Sequence, residues 1–329
     1  MRVIKTRNVQ QALPEALDTL RSYHHERGSR NGPVWVYPEP VTTVYLRPTE
    51  RVLFWEDRDA NPFFHLFESL WMLAGRQDVA WLEQFNSRMR QFSDNGETFH
   101  GAYGYRWRHH FGFDQLPVIA DNLKKNPECR RQVLAMWDAE KDLGDVSKDL
   151  PCNDLALFTR GIDGELNMTV MCRSNDIIWG CYGANAVHFS ILLEFMAAAI
   201  GCPVGTYTQI SNNWHGYVET TEPLMHLADR ADDLLHGSGP EGKIDVPWCP
   251  YENGAVEPFP LINTDVLIWQ RDLGIFMSEG ATAMGYRDRF FRRVAIPLLQ
   301  AYQAFKDKEL GLERFTLAQS KVMECQALD

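Results

Sequence analysis

Apolar residues repeat at helical spacing over some stretches of the chain and at alternate positions over others. Over 9–26, Ala12, Leu13, Ala16, Leu17, Leu20 and Tyr23 share one helix face, and Gly28 ends it. Ser29-Arg30-Asn31-Gly32-Pro33 has the composition of a turn, and strand-like runs follow at 34–37, 41–46 and 51–55. Asn61-Pro62 opens a helix, with Asn as cap and Pro in the first turn. Phe63, Phe64, Phe67, Leu70, Trp71 and Leu73 give that helix a wide apolar face, and Gly75 stops it. Glu68 sits among these rings, either on the solvent edge or buried for a purpose, and spacing alone favours the edge. A shorter helix at 79–85 leads to the polar loop Ser93-Asp94-Asn95-Gly96.

Residues 117–125 read as a helix, Asn126-Pro127 as a turn, and 130–137 as a strand entered by Arg130-Arg131. Strand-like runs at 155–158 and 166–171 flank the turn Gly161-Ile162-Asp163-Gly164. Asn185–Ile200 is the most apolar helix, Gly201 ends it, and 206–210 returns as a strand. Beyond Tyr217 the pattern gives a helix near 222–235, a Gly/Pro-rich loop over 237–260 and a strand-like run at 266–269. Helices at 290–306 and 310–326 finish the chain. This mixture, without repeat or linker, predicts one α+β domain over 1–329.

A hydrophobic share of 45% with ten Trp and eighteen Phe supports a sizeable core and excludes a disordered chain. The formal charge of −11 argues against nucleic-acid binding, which rests on excess Lys and Arg. It still leaves room for a local basic pocket. Cysteines at 129, 152, 172, 181, 202, 249 and 325 are scattered without a C-x-x-C pair, so neither a disulfide framework nor a metal site is expected. That usage points to the cytoplasm. Met1-Arg2-Val3-Ile4-Lys5 lacks a signal-peptide core, and the apolar run at 189–202 holds Glu194 and is too short to span a membrane.

The chemistry concentrates between Asp149 and Tyr217. Pro151-Cys152 enters an alternating strand, and Cys172-Arg173-Ser174-Asn175-Asp176 ends the next. A Gly-rich turn precedes Asn185, and His215-Gly216-Tyr217 closes the stretch. A neighbouring arginine lowers a thiol's pKa and so favours the reactive thiolate; Arg173 is the candidate to do this for Cys152. Consecutive strand residues face opposite ways, so Arg130 and Arg131 can serve one phosphate only at a bend or across a subunit boundary. Cys152, His215 and an Asn also read as a cysteine-hydrolase triad. The strand setting of Cys152 disfavours it, because that nucleophile normally opens a helix. Residue types alone therefore reach a pocket for a phosphorylated small molecule with a nucleophilic cysteine.

Taken in order, these residues resemble the thymidylate synthase family, including its phage-type deoxypyrimidine-nucleotide hydroxymethylases, over roughly residues 15–220. The family's Pro-Cys matches Pro151-Cys152, its Arg-Ser-x-Asp matches Arg173 to Asp176, its base-reading Asn matches Asn185, and its His-x-Tyr matches His215 to Tyr217. Upstream, Arg130-Arg131, the Tyr-Gly-x-x-Trp-Arg run from Tyr103, the helix with His65, Glu68 and Trp71, and Arg30 in Arg-Asn-Gly match as well. The resemblance implies a mixed sheet packed with helices and a homodimer formed sheet to sheet. It implies that the Cys152 thiolate adds to C6 of a deoxypyrimidine 5′-monophosphate, making C5 nucleophilic toward the methylene of 5,10-methylenetetrahydrofolate. Arg30 and Arg173, with Ser174 beside them and Arg130 and Arg131 from the partner subunit, would hold the phosphate by charge-assisted forks. His215 and Tyr217 would bind the sugar hydroxyl, Asn185 the base edge and Asp176 the pterin. Tyr103 and Glu68 complete the catalytic set, Glu68 by organising water and proton transfer. That reverses the solvent-edge reading of Glu68.

Methylating members of that family finish with a hydride transfer in a dry cavity, closed by Trp after the Glu helix and by an apolar C-terminal tail. Here Asn86-Ser87-Arg88-Met89-Arg90-Gln91-Phe92 has no Trp, and 323–329 ends on Asp329. Both favour a 5-hydroxymethyl product over a methyl one, unless Trp179 or Trp214 seals the site. Cytosine-selective members tend to carry Asp where Asn185 stands, and an amide that both donates and accepts suits uracil. The expected substrate is therefore dUMP ahead of dCMP. The turn before Asn185 is one residue longer than the family's and Asn153 replaces its usual His, which keeps dCMP open. The alternatives are reductive methylation and a catalytically silent nucleotide-binding relative, against which Cys152, Glu68 and Asp176 weigh.

Overall fold

The alternating stretches build one mixed sheet, and a computed structural model describes it over residues 1–231 and 249–306. Its strands are β1 (Arg2–Thr6), β2 (His25–Ser29), β3 (Gly32–Val36), β4 (Val41–Tyr45), β5 (Gln132–Ala135), β6 (Asn153–Arg160), β7 (Leu166–Asp176) and β8 (Val204–Tyr217). The order is β1-β4-β8-β7-β6-β5, with β3 also pairing β8 and β2 pairing β3. β1 runs parallel to β4 and β7 parallel to β8, and the other pairs are antiparallel. A parallel pair needs a crossover, and helix α4 (Asn185–Ile200) supplies it between β7 and β8. The architecture is α+β, as the order of elements predicts.

The other main helices are α1 (Val9–Ser22), α2 (Pro62–Leu73), α3 (Gln115–Lys125), α5 (Val266–Glu279) and α6 (Ile296–Lys306). Asn61 caps α2 by accepting the Phe64 N–H at 2.9 Å, the role its sequence position predicts. Gly201, at φ 82°, closes α4 in a conformation that favours glycine. Glu194, the one charge in α4, pairs with Arg51 and accepts the Leu261 N–H. On β7, Leu166, Met168, Val170 and Cys172 face the core. The row Val133, Leu157, Thr169 and Thr208 crosses the opposite, more exposed face.

Several expectations change. The first helix stops at Ser22, and His25–Ser29 pairs with Gly32–Val36 as a hairpin; its polar residues belong to an exposed strand, not a helix end. The run 51–55 is not a strand, because Gln10 takes the Phe54 N–H and the Tyr251 hydroxyl takes the Val52 N–H in place of a neighbouring strand. Residues 266–269 open helix α5: Asp265 caps it, and Trp269, Leu273 and Phe276 bury one helical face. The helix expected over 79–85 is a single turn, Val79–Leu82. The segment near 222–235 begins as a 3₁₀ stretch, Glu222–Asp229, and its end falls outside the described residues. So do much of the 237–260 loop, the 310–326 helix and the 323–329 tail. The helical stretch Ile177–Ile200 is longer than the apolar run alone and would reach across a membrane by length, yet 78% of its most apolar window is buried in the protein.

Candidate active site

Strand register assembles the site. β7 and β8 run parallel with Ser174 beside Asn213 and Asp176 beside His215. β3 pairs Val36 with His215 and Val34 with Tyr217, which brings the Arg30-Asn31 hairpin loop to the same end of the sheet. Asn31 Nδ2 reaches the Tyr217 hydroxyl at 3.5 Å, and Arg30 Nη2 donates to Lys148 O at 3.2 Å. The result is a cavity of about 570 Å³ whose lining includes Arg30, Cys152, Arg173, Ser174, His215 and Tyr217. Four separate stretches of the sequence, around Arg30, Cys152, Arg173 and His215, meet there.

Arg173 holds the loop that carries the thiol. Its Nε donates to Pro151 O at 2.8 Å and its Nη2 to Leu150 O at 3.2 Å, with the Cys152 Sγ 3.9 Å away and the Trp137 ring beneath the guanidinium at 5.6 Å. Arg173 does pull the thiol pKa down, but burial outweighs it and Asp149 and Asp154 add to burial, so the Cys152 thiol lies above its ordinary value. The expectation of an arginine-activated thiolate is therefore half right within this chain. Asp154 is itself pushed up to about 6 by burial. Iodoacetamide labelling of Cys152 in the free protein, followed on its peptide by mass spectrometry, should thus be slow at neutral pH. Its midpoint should lie above the usual thiol value of about 8.5; a midpoint well below that would mean that charge from outside this chain activates the thiol.

Behind the thiol runs a line of amides. The Tyr103 hydroxyl oxygen receives the backbone N–H groups of Cys152 and Asn153 at 3.1 Å and Asn153 Nδ2 at 3.0 Å. Asn153 Nδ2 also reaches Asn185 Oδ1 at 3.2 Å, Asn185 Nδ2 donates to Asn175 Oδ1 at 3.0 Å, and Asn175 Nδ2 donates to Ser211 Oγ at 2.9 Å. A Cβ on Gly180 would stand 2.5 Å from Asn175 Oδ1 and 3.1 Å from Asn185 Nδ2, so this line needs glycine there. The turn 177–184 winds ahead of Asn185 as a π-helical stretch broken at Tyr182 and Gly183. Asn153 and Asn175 were legible as polar residues, but their joining to Asn185 was not.

Asp176 caps that stretch by accepting the Ile178 and Trp179 N–H groups, and it takes the Tyr217 N–H at 3.2 Å. Burial raises its carboxyl against these N–H groups and His215. Glu68 is not on a solvent edge: its Oε2 lies 3.1 Å from Nε2 of His188, and its charge is felt at Asp149, three residues before Cys152. His188 escaped the sequence reading, although it stands one helical turn after Asn185. Arg130 and Arg131 are exposed at the start of edge strand β5 and do not line the Cys152 cavity of their own chain.

A family model described as thymidylate synthase matches residues 63–236. A deoxyuridylate hydroxymethyltransferase of Pseudomonas phage M6 is 55% identical over 329 residues, which is 100% of this chain and 91% of that one. The chain belongs to the thymidylate synthase family. A deoxyuridylate hydroxymethyltransferase of Bacillus phage SP01 is 39% identical over 191 residues, covering 55% of this chain and 50% of its own length. A thymidylate synthase of Corynebacterium aurimucosum is 27% identical over 220 residues, 63% of this chain and 80% of its own. Set in this thymidylate synthase fold, the segment after the Glu68 helix is the polar 3₁₀ stretch Ser87–Phe92, with Arg90 forked on Glu83. Neither tryptophan considered as a seal lines the cavity. Trp214 is buried against Tyr37 and Tyr182, and Trp179 is 52% exposed.

Proposed function

We propose that the protein transfers a one-carbon unit from 5,10-methylenetetrahydrofolate to C5 of dUMP and lets water complete the reaction, giving a 5-hydroxymethyl nucleotide. The observation that carries this reading is the full-length similarity to the Pseudomonas phage deoxyuridylate hydroxymethyltransferase. The Ser87–Phe92 segment carries no tryptophan that could seal the site.

In this proposal Arg30, Arg173 and Ser174 hold the phosphate, His215 and Tyr217 the sugar hydroxyl, and Asn185 the uracil edge. Cys152 Sγ bonds to C6, and the C5=C6 electron pair makes C5 the nucleophile that takes the one-carbon unit. Loss of the C5 proton and of the carrier leaves an exocyclic methylene on the nucleotide. Water oxygen bonds to that carbon as its π pair moves into the ring, and departure of the thiolate from C6 restores C5=C6. One water is consumed, its proton goes to a base, and nothing is oxidised or reduced. Bound methylenetetrahydrofolate supplies the carbon at the oxidation level of formaldehyde. The residues present fit such a cosubstrate. Asp176 retains acceptor capacity after its three N–H bonds. Arg58, whose guanidinium lies over the Trp179 ring at 5.8 Å, has a buried Nε without a protein acceptor.

The proposal includes a homodimer, one domain over 1–329 and action in the cytoplasm. Arg130 and Arg131 would enter the partner's site; their exposure at the start of edge strand β5 supports this reading. Incubation with methylenetetrahydrofolate and either dUMP or dCMP tests the reading. dUMP should gain the elements of formaldehyde and react faster than dCMP, and turnover of dCMP alone would overturn the base assignment.

A further inference from the structure

We propose that His188 is the positioning residue for Glu68: its Nε2–H holds one carboxylate oxygen so that the other takes the proton of the water that adds to the nucleotide's exocyclic methylene. This deepens the reading above and rests on it.

Two helices meet face to face here. α2 presents His65 and Glu68 one turn apart, and α4 presents Asn185 and His188 one turn apart, so each pair shares a helix face. His188 is only 4% exposed, in a helix whose neighbouring positions Val187, Phe189, Ile191 and Leu192 are apolar core. An imidazole in such a place requires a partner. Its Nε2 stands 3.1 Å from Glu68 Oε2, off the line of a hydrogen bond; it is a buried donor with no hydrogen-bonded protein partner, and Glu68 is nearest to satisfy it. The His65 ring stands edge-on to His188, with centroids 6.4 Å apart. His65 is kept neutral, with a pKa held down to about 3 by burial first, then by His188 and Arg58. Arg58 bears on His65, and Asp149 feels Glu68. His188 is the group that touches the carboxylate.

Glu has a flexible side chain, and fixing it costs rotamer freedom. A ring locked in the core, within reach of one carboxylate oxygen, supplies that fixation. As the water's C–O bond forms, its O–H bond breaks and the proton passes to Glu68, which releases it to solvent when product leaves.

The test uses the full chain with dUMP and methylenetetrahydrofolate, measuring kcat and KM alongside thermal melting. His188→Leu fills the space without a donor and serves if His188→Ala does not fold; His188→Gln restores a donor. We expect His188→Leu to lose about tenfold or more in kcat with KM for dUMP within about twofold. His188→Gln should recover much of the loss. Equal activity of both variants and the wild type overturns the inference, as does an equal loss in both. A wild-type protein that turns over neither nucleotide sinks the functional reading itself, which is a separate outcome.

Discussion

Cys152→Ala should abolish turnover, lowering kcat by on the order of 10⁴-fold or more while nucleotide binding survives. Covalent catalysis divides one difficult step into two easier ones, and removing the nucleophile forfeits both. Here no neighbour can substitute. Cys172 is buried on the core face of β7 and donates to Ser174 O at 3.1 Å, with its thiol raised well above its ordinary value by burial. Binding should persist because Arg30, Arg173, His215 and Tyr217 reach the cavity from other strands and loops. Equilibrium binding of dUMP to the variant, measured with steady-state rates, separates the two effects. Full turnover without Cys152 would remove the covalent step from the account.

The second large effect concerns the base. Asn185→Asp should reverse the substrate preference from dUMP to dCMP, with kcat/KM for dUMP falling on the order of 10²-fold or more. Asn185 already spends one N–H on Asn175 and accepts one from Asn153. That leaves one donor and one acceptor, which match O4 and N3–H of uracil. A carboxylate has no donor for O4, whereas it accepts from the amino group of cytosine. Its acceptor surplus also faces Asn175 Oδ1, so Asn175→Ser in the same chain should relieve part of the cost. Parallel rates on both nucleotides decide the matter, and a variant still faster on dUMP would mean that Asn185 does not read the base.

Much of the site was legible because its parts are local. Pro151-Cys152, Arg173 to Asp176 and His215 to Tyr217 each sit on one strand or its entry, so their spacing survives into the fold. The hairpin that delivers Arg30 was half seen: its turn was evident, but the exposed His25–Ser29 strand resembles the polar end of a helix. Residues 266–269 show the opposite failure. Four apolar residues do not distinguish strand from helix, and the deciding signal was the Asp265 cap before them. Long-range partners were out of reach. Nothing near Glu68 in sequence points to His188, and nothing near Cys152 reveals that burial outweighs Arg173. The neighbours of a charge can be read from sequence, but its solvation depends on the whole fold.

The central claim is that water, not hydride, finishes the reaction. The most direct test is to run dUMP and methylenetetrahydrofolate with the protein in oxygen-18 water, weigh the nucleotide product and follow dihydrofolate absorbance in the same mixture. The account predicts a 5-hydroxymethyl nucleotide carrying the heavy oxygen, with no dihydrofolate formed. A methyl product formed together with dihydrofolate would contradict it, and would show that the site excludes water despite the polar segment Ser87–Phe92.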